Sequence, residues 1–160
     1  MLKPLEQFYC DTCDMLIEKV DDGAVEWKDK SEAPEGRHLS GSFRICHNTK
    51  TKNCYQPERT GYNNNSALSK FLGEEGYIQL LDFIDRGSRI DKNYSGTRIS
   101  DMREYVEFVK RLTIPHYEEA RHYWDEAQQD GFFDNIGEHK YFLKETLTEL
   151  IEKYSSEEEE

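Results

Sequence analysis

The chain has 160 residues, of which 36% are hydrophobic, 12% aromatic and 34% charged, and its net charge is −12. That length suits one well-buried core or a small module leaning on a larger one, and ten tyrosines with eight phenylalanines exclude a disordered chain. The charge argues against a binder of phosphate backbones, no apolar run reaches the length of a membrane span, and the first residues lack the apolar stretch of a secretion signal.

In chain order, Phe8-Tyr9-Cys10-Asp11-Thr12-Cys13 sets two cysteines two residues apart after an aromatic pair, one half of a tetrahedral metal site. The other half must come from Cys46, His47 and Cys54. Thiolate and imidazole donors select zinc over magnesium or calcium, which prefer oxygen. A redox Cys-x-x-Cys pair would open a helix, whereas the surroundings here read as strands. Four protein donors close the tetrahedron, so the expected zinc is structural rather than catalytic. Without a secretion signal, metal is preferred to disulfides, and a cytoplasmic location is expected.

Short strands are expected around the cysteine pair, with Asp21-Asp22-Gly23 as a tight hairpin turn and Ala24–Trp27 as the returning strand. Residues 28–38 are polar, contain a proline and a glycine, and read as an exposed loop. Gly41–His47 resumes strand alternation, and a loop from Asn48 to Pro57 carries Cys54. Along that strand Phe43 and Ile45 should face inward and His47 should continue their side, while Cys46 follows Arg44 outward. Thiolate counting favours Cys46 instead, and a β-bulge near the strand end would reverse the alternation argument.

Gly61-Tyr62-Asn63-Asn64-Asn65-Ser66 marks a boundary, beyond which the hydrophobic period changes from two to 3.6. Ser66 can start a short turn through Leu68, Phe71 and Leu72. Tyr77, Leu80, Leu81 and Ile84 form the expected inner face of one helix, with Gly87 ending it and a loop to Gly96 following. Ile99, Met102, Val106, Val109 and Leu112 form the stripe of the next, started near Ser100-Asp101. Pro115 fits the first position of a third helix with the stripe Tyr117, Ala120, Trp124 and Ala127, closed by Gly131. Phe132-Phe133 should fold back on the helices, and Leu143, Leu147, Leu150, Ile151 and Tyr154 form a last helix. An acidic tail follows, expected to fray from Ser155 onward.

Glu119 and His122 stand three apart, half of a di-metal motif whose other half is missing, so a solvated helix face is the expectation. Arg103, Arg111 and Arg121 with Tyr105, Tyr117 and Tyr123 could line a basic and aromatic groove, but Glu104, Glu107 and Glu118 stand near to pair with them. No P-loop, nucleophile elbow or His-Glu-x-x-His signature occurs.

The Phe8–Cys13 run, Gly41–His47, Asn53-Cys54-Tyr55, Ile114–Arg121 and Asp130-Gly131-Phe132-Phe133 together resemble a group of uncharacterised bacterial proteins. The resemblance implies a zinc-ribbon-like N-terminal segment followed by a helical region, and a histidine ligand at the place of His47. With it, the expected ligand set is Cys10, Cys13, His47 and Cys54 around Zn2+. The fold class expected is α+β: a small antiparallel sheet over residues 1–60, about four helices over 61–155 packed against it, and an acidic tail at 156–160. The expected function is a non-enzymatic, zinc-stabilised interaction protein, an inhibitor or adaptor acting on a basic protein partner, with nucleic acid and membrane disfavoured. The alternative is an enzyme or small-ligand-binding domain with a pocket between ribbon and helices, using Arg121, His122 and Glu119.

Overall fold

The computed structural model describes residues 1–32, 37–52, 54, 61–87, 89, 90 and 97–156, and for 31, 32, 37 and 38 the backbone alone. The fold is α+β: two small antiparallel sheets come first, and helices follow. Strand β1 (Phe8–Tyr9) pairs with β2 (Leu16–Ile17), Phe8 opposite Ile17, and both of these side chains are fully buried. The second sheet has β3 (Gly23–Glu32) between β4 (Arg37–His47) and β5 (Asn64–Ala67).

Three local expectations change here. Asp21-Asp22 closes a 3-10 turn rather than a hairpin, because β2 pairs back to β1 and leaves β3 to pair elsewhere. Residues 28–32 are strand, not loop, and pair with residues 37–41. The polar composition that suggested a loop is satisfied in the ladder: Ser40 Oγ donates to Asp29 at 2.6 Å, and Asn64 Nδ2 donates to its other oxygen at 2.8 Å. Asn63 meanwhile exchanges side-chain hydrogen bonds with the Asp29 backbone N–H and carbonyl. The asparagine-rich stretch therefore supplies a strand instead of a plain connection. The tip at 33–36 lies outside the described residues.

Helix α1 spans Gly73–Ile84 and α2 spans Met102–Thr113. Asp101 caps α2 by accepting the N–H groups of Arg103 and Glu104 at 2.9 and 3.1 Å, as the start signal required. The inner faces of both helices differ from the expected stripes. In α1, Gly76 and Leu80 are buried, while Tyr77 and Leu81 stand in solvent. In α2 the buried side is Tyr105, Phe108, Arg111 and Leu112, while Met102 and Val106 are exposed. Aromatic packing sets both phases. Phe43 stacks on Phe108 at 4.9 Å and takes the edges of Phe83 and Tyr105 at 5.1 and 5.2 Å, a hub that outweighs the smaller aliphatic side chains.

Beyond α2 the chain turns through Pro115 and His116, the latter in the left-handed region at φ 69°, and only then enters α3 (Tyr117–Ala120). Pro115 thus precedes the helix instead of opening it. Helix α4 (Trp124–Gln129) ends where Gly131 takes φ 71° and the Phe132 N–H reaches back to the Ala127 carbonyl at 2.9 Å. Helix α5 runs Lys144–Ser155 with Leu147, Leu150, Ile151 and Tyr154 buried; Leu143 is half exposed. Ser155 is the last helical residue, and 157–160 lie outside the described residues. One apolar cluster collects side chains from Phe8 to Leu112, and a second from Tyr117 to Tyr154. No described helix is long and apolar enough to cross a membrane.

Candidate metal centre

Four side chains meet between the two sheets: Cys10, Cys13, His47 and Cys54, whose ligand atoms all lie within 4.8 Å of one another. The knuckle that presents the first two is built by backbone bonds. The Cys10 N–H donates to the Met15 carbonyl at 3.0 Å, and the Asp14 N–H donates to the Cys10 carbonyl at 2.9 Å. Asp14 takes φ 56° to close the turn, a conformation that glycine adopts freely and aspartate tolerates better than most residues.

The last residue of β4 supplies the imidazole. His47 Nε2 lies 3.2 Å from the Leu16 carbonyl oxygen, which can only accept, so Nε2 carries the proton. Nδ1 is left with its lone pair directed at Cys13 Sγ, 3.5 Å away, and Cys54 Sγ, 3.8 Å away. Tetrahedral zinc with its usual bond lengths puts sulfur about 3.6 Å from nitrogen and about 3.8 Å from sulfur. The donor set and its spacing fit such an ion, and the Leu16 bond is the outer partner that a ligating histidine normally has.

The electrostatics around the sulfurs are uneven. Burial pushes the Cys10 thiol up, but hydrogen bonds from the His47, Thr12 and Cys13 backbones and the His47 side chain outweigh it and bring its pKa to about 7. Burial and the neighbouring Cys13 and Cys10 push Cys54 up to about 12. A cation among these groups would reverse that second trend, since a coordinated thiol is deprotonated.

Cys46 turns away from the cluster. The register Ala24↔Cys46 and Glu26↔Arg44 puts these four residues on one face of the sheet, and Gly23↔His47 and Val25↔Ile45 on the other. A bulge does occur in β4, at Ser42 with φ 54° opposite Trp27, but it lies before Arg44 and leaves the 43–47 alternation intact. The Cys46 face is not solvent, however. Glu26 is fully buried there and pairs with Arg44 Nε at 2.5 Å, and the guanidinium lies 3.9 Å over the Tyr62 ring. Burial, then the Glu26 charge and a hydrogen bond to it, hold the Cys46 thiol far above the ordinary range.

Asp11, between the two knuckle cysteines, is the residue that sequence reasoning passed over. Its Oδ2 accepts the Ile45 N–H at 2.7 Å, and its own N–H donates to the Ile45 carbonyl at 2.8 Å. Arg111 of α2 donates to both Asp11 carboxylate oxygens, to both Glu118 oxygens, and to the Tyr9 carbonyl. Glu118 accepts the Tyr9 N–H at 2.9 Å and also holds Arg121. Burial works against the Glu118 carboxylate, but Arg111 overcomes it and keeps its pKa below the usual glutamate range. The only sequence signal for this network was the pairing expected between Glu118 and the nearby arginines.

Arg103, Arg111, Arg121 and Tyr117 line a common cleft of about 810 Å3 beside α2, and Tyr123 packs against the second apolar cluster. Tyr105 is buried in the first core. Glu119 and His122, the other residues of the pocket alternative, are placed elsewhere: Glu119 accepts the Leu2 N–H at 2.6 Å, and the His122 ring meets Tyr9 edge-on at 4.4 Å. Burial and then Arg121 lower the His122 pKa, which works against a charged role.

Comparison with protein-family models, with curated proteins and with solved structures returns no match for this chain. What stands of the resemblance to the uncharacterised bacterial group is a Cys/His cluster near the N-terminus that can hold a metal ion.

Proposed function

We propose that this chain is a non-enzymatic interaction protein whose N-terminal part is held by one structural zinc ion on Cys10, Cys13, His47 and Cys54, and that its acidic surface engages a basic protein partner. The observation that carries the metal reading is the closed donor set: four soft or borderline donors converge within 4.8 Å, and the imidazole is already oriented by Leu16. With four protein donors no position remains for water or substrate, so the ion would supply folding energy and no chemistry. None of the four cysteines forms a disulfide, which suits a reducing compartment such as the cytosol. The partner reading rests on the net charge of −12.

The cleft beside α2 supports the second reading, a small-ligand site. Its cations are largely neutralised, which weakens that reading: Arg111 uses its guanidinium on Asp11, Glu118 and Tyr9, Arg121 shares Glu118, and Lys110 bonds Glu107 at 2.6 Å. The test of the preferred reading is metal content. Protein purified without added metal should carry one zinc per chain, and a strong chelator should remove it with loss of the tertiary signal from the first core. A folded chain with no bound zinc would overturn the reading.

A further inference from the structure

The outward side of α1 has no covering element among the described residues. Tyr77, Ile78 and Leu81 are 58, 57 and 45% exposed, and Ile84 lies at the same margin. Tyr77, Leu81 and Ile84 follow one another at i, i+4 and i+7, so they form one apolar strip instead of scattered surface residues. Beside the strip run three helix carboxylates, Glu74, Glu75 and Asp82, and the C-cap Asp85, with the cation Arg86 just past the helix end. Asp82 reaches that cation at 3.7 Å, with both side chains about half exposed.

A second observation adjoins the strip. A pocket of about 400 Å3 opens where α1 meets β3 and β4, with Trp27, Phe83 and Ile78 as its apolar walls and Asp29, Glu75 and Asp82 as acids. Arg86 and Arg98 stand there too, so the acids outnumber the cations by one. Trp27 is 9% exposed, and its buried Nε1–H has no acceptor among the described residues, although a buried indole donor normally has one.

We infer that the outward face of α1 and the adjoining Trp27 pocket form one docking groove for a basic, amphipathic segment of a partner protein. The inference rests on the interaction reading above and names the kind of partner. The apolar side of the segment lies on Tyr77, Leu81 and Ile84. One long side chain enters the pocket beside Ile78, its stem against Phe83 and the Trp27 ring. Lysines or arginines on the flank meet Glu74, Glu75, Asp82 and Asp85. A second copy of the chain is the poorer occupant, because a two-fold contact sets this carboxylate row, and a net charge of −12, against its like.

The test uses the full zinc-loaded chain and a synthetic 18-residue peptide of leucine and lysine at helical spacing, with a scrambled peptide and a leucine/glutamate peptide as controls. Binding is read by amide chemical shifts and by the indole N–H signal of Trp27. Shifts confined to 74–86 and Trp27, weakened tenfold or more in the double variant Ile78→Asp/Leu81→Asp with the fold intact, are the expected result. Absence of binding, equal binding of the acidic peptide, shifts centred elsewhere on the acidic surface, or a dimer that the double variant abolishes would each overturn the inference. Zinc content measured on the same sample separates the two readings. A metal-bound folded chain whose α1 does not respond sinks the groove alone, whereas a folded chain without zinc sinks the structural-metal reading.

Discussion

Arg111 stands where the knuckle, β4 and the helices meet, and its environment makes a sharp demand on single substitutions. Its side chain is 9% exposed and the carboxylate of Glu118 6%. Replacing a buried cation strands the anions that it served, which typically costs about 3–5 kcal/mol. Arg111→Met should therefore lower stability by about that amount in denaturant titrations, and Glu118→Leu added to it should recover much of the loss. The sign with pH is opposite in the two proteins. In the wild type the Glu118 pKa is depressed below its unfolded value, so its contribution is present above the ordinary glutamate range and is lost as pH falls through the lower folded value. In Arg111→Met the same buried carboxylate prefers its proton, so the stability gap between the two proteins should narrow on acidification. A gap that widens would refute the network. At the candidate metal centre, the proposed zinc site predicts that Cys46→Ser keeps one zinc per chain and that His47→Ala loses tight binding. Zinc retained in His47→Ala and lost in Cys46→Ser would reverse the assignment.

The helices carry their own tests. Val106 is 42% exposed, so Val106→Asp should fold with a change within about 0.5 kcal/mol. Phe108→Ala, one residue pair away, should cost about 3–5 kcal/mol because it removes the ring stacked on Phe43. Gly76→Ala decides between propensity and packing. Helix propensity alone favours alanine by about 1 kcal/mol, but the new methyl would sit 2.0 Å from the carbonyl carbon of Phe71, which is backbone and cannot swing aside. A net loss of about 1–3 kcal/mol is expected from the thermal midpoint. These positions also show which parts of the fold were legible in the sequence. Helix existence, the Asp101 cap and the Gly131 stop have local causes and could be read directly. Helix phase could not, because aliphatic residues at good spacing were outweighed by Phe43, Phe83, Tyr105 and Phe108 meeting from distant parts of the chain. The side of β4 that His47 occupies followed from alternation, and it survived because the bulge falls at Ser42. Asp11 was illegible for the opposite reason: a carboxylate between two cysteines reads as a solvated turn residue until Arg111, one hundred positions on, is brought against it.

At the scale of the whole molecule, two apolar clusters meet through a polar seam. The first holds Trp27 and the second is packed by Trp124, so the protein carries one indole reporter for each. The seam between them includes Asp11, Arg111, Glu118 and Arg121, with the Tyr9 backbone. Burying that many charged groups gives little net stability but makes each half costly to expose alone, which couples their unfolding. Thermal melts of Trp27→Phe, which reports Trp124, and of Trp124→Phe, which reports Trp27, should therefore each give fluorescence and circular-dichroism transitions that coincide. Adding Arg111→Met to either variant should separate them. On the proposed zinc reading, chelation would then take the native signal of Trp27, because Cys10 and Cys54 share the first core with it, while Trp124 keeps its contacts with Phe133 and Phe142 at 4.6 and 5.4 Å. Coincident transitions in the Arg111→Met background would show that apolar contacts, not the charged seam, join the two clusters.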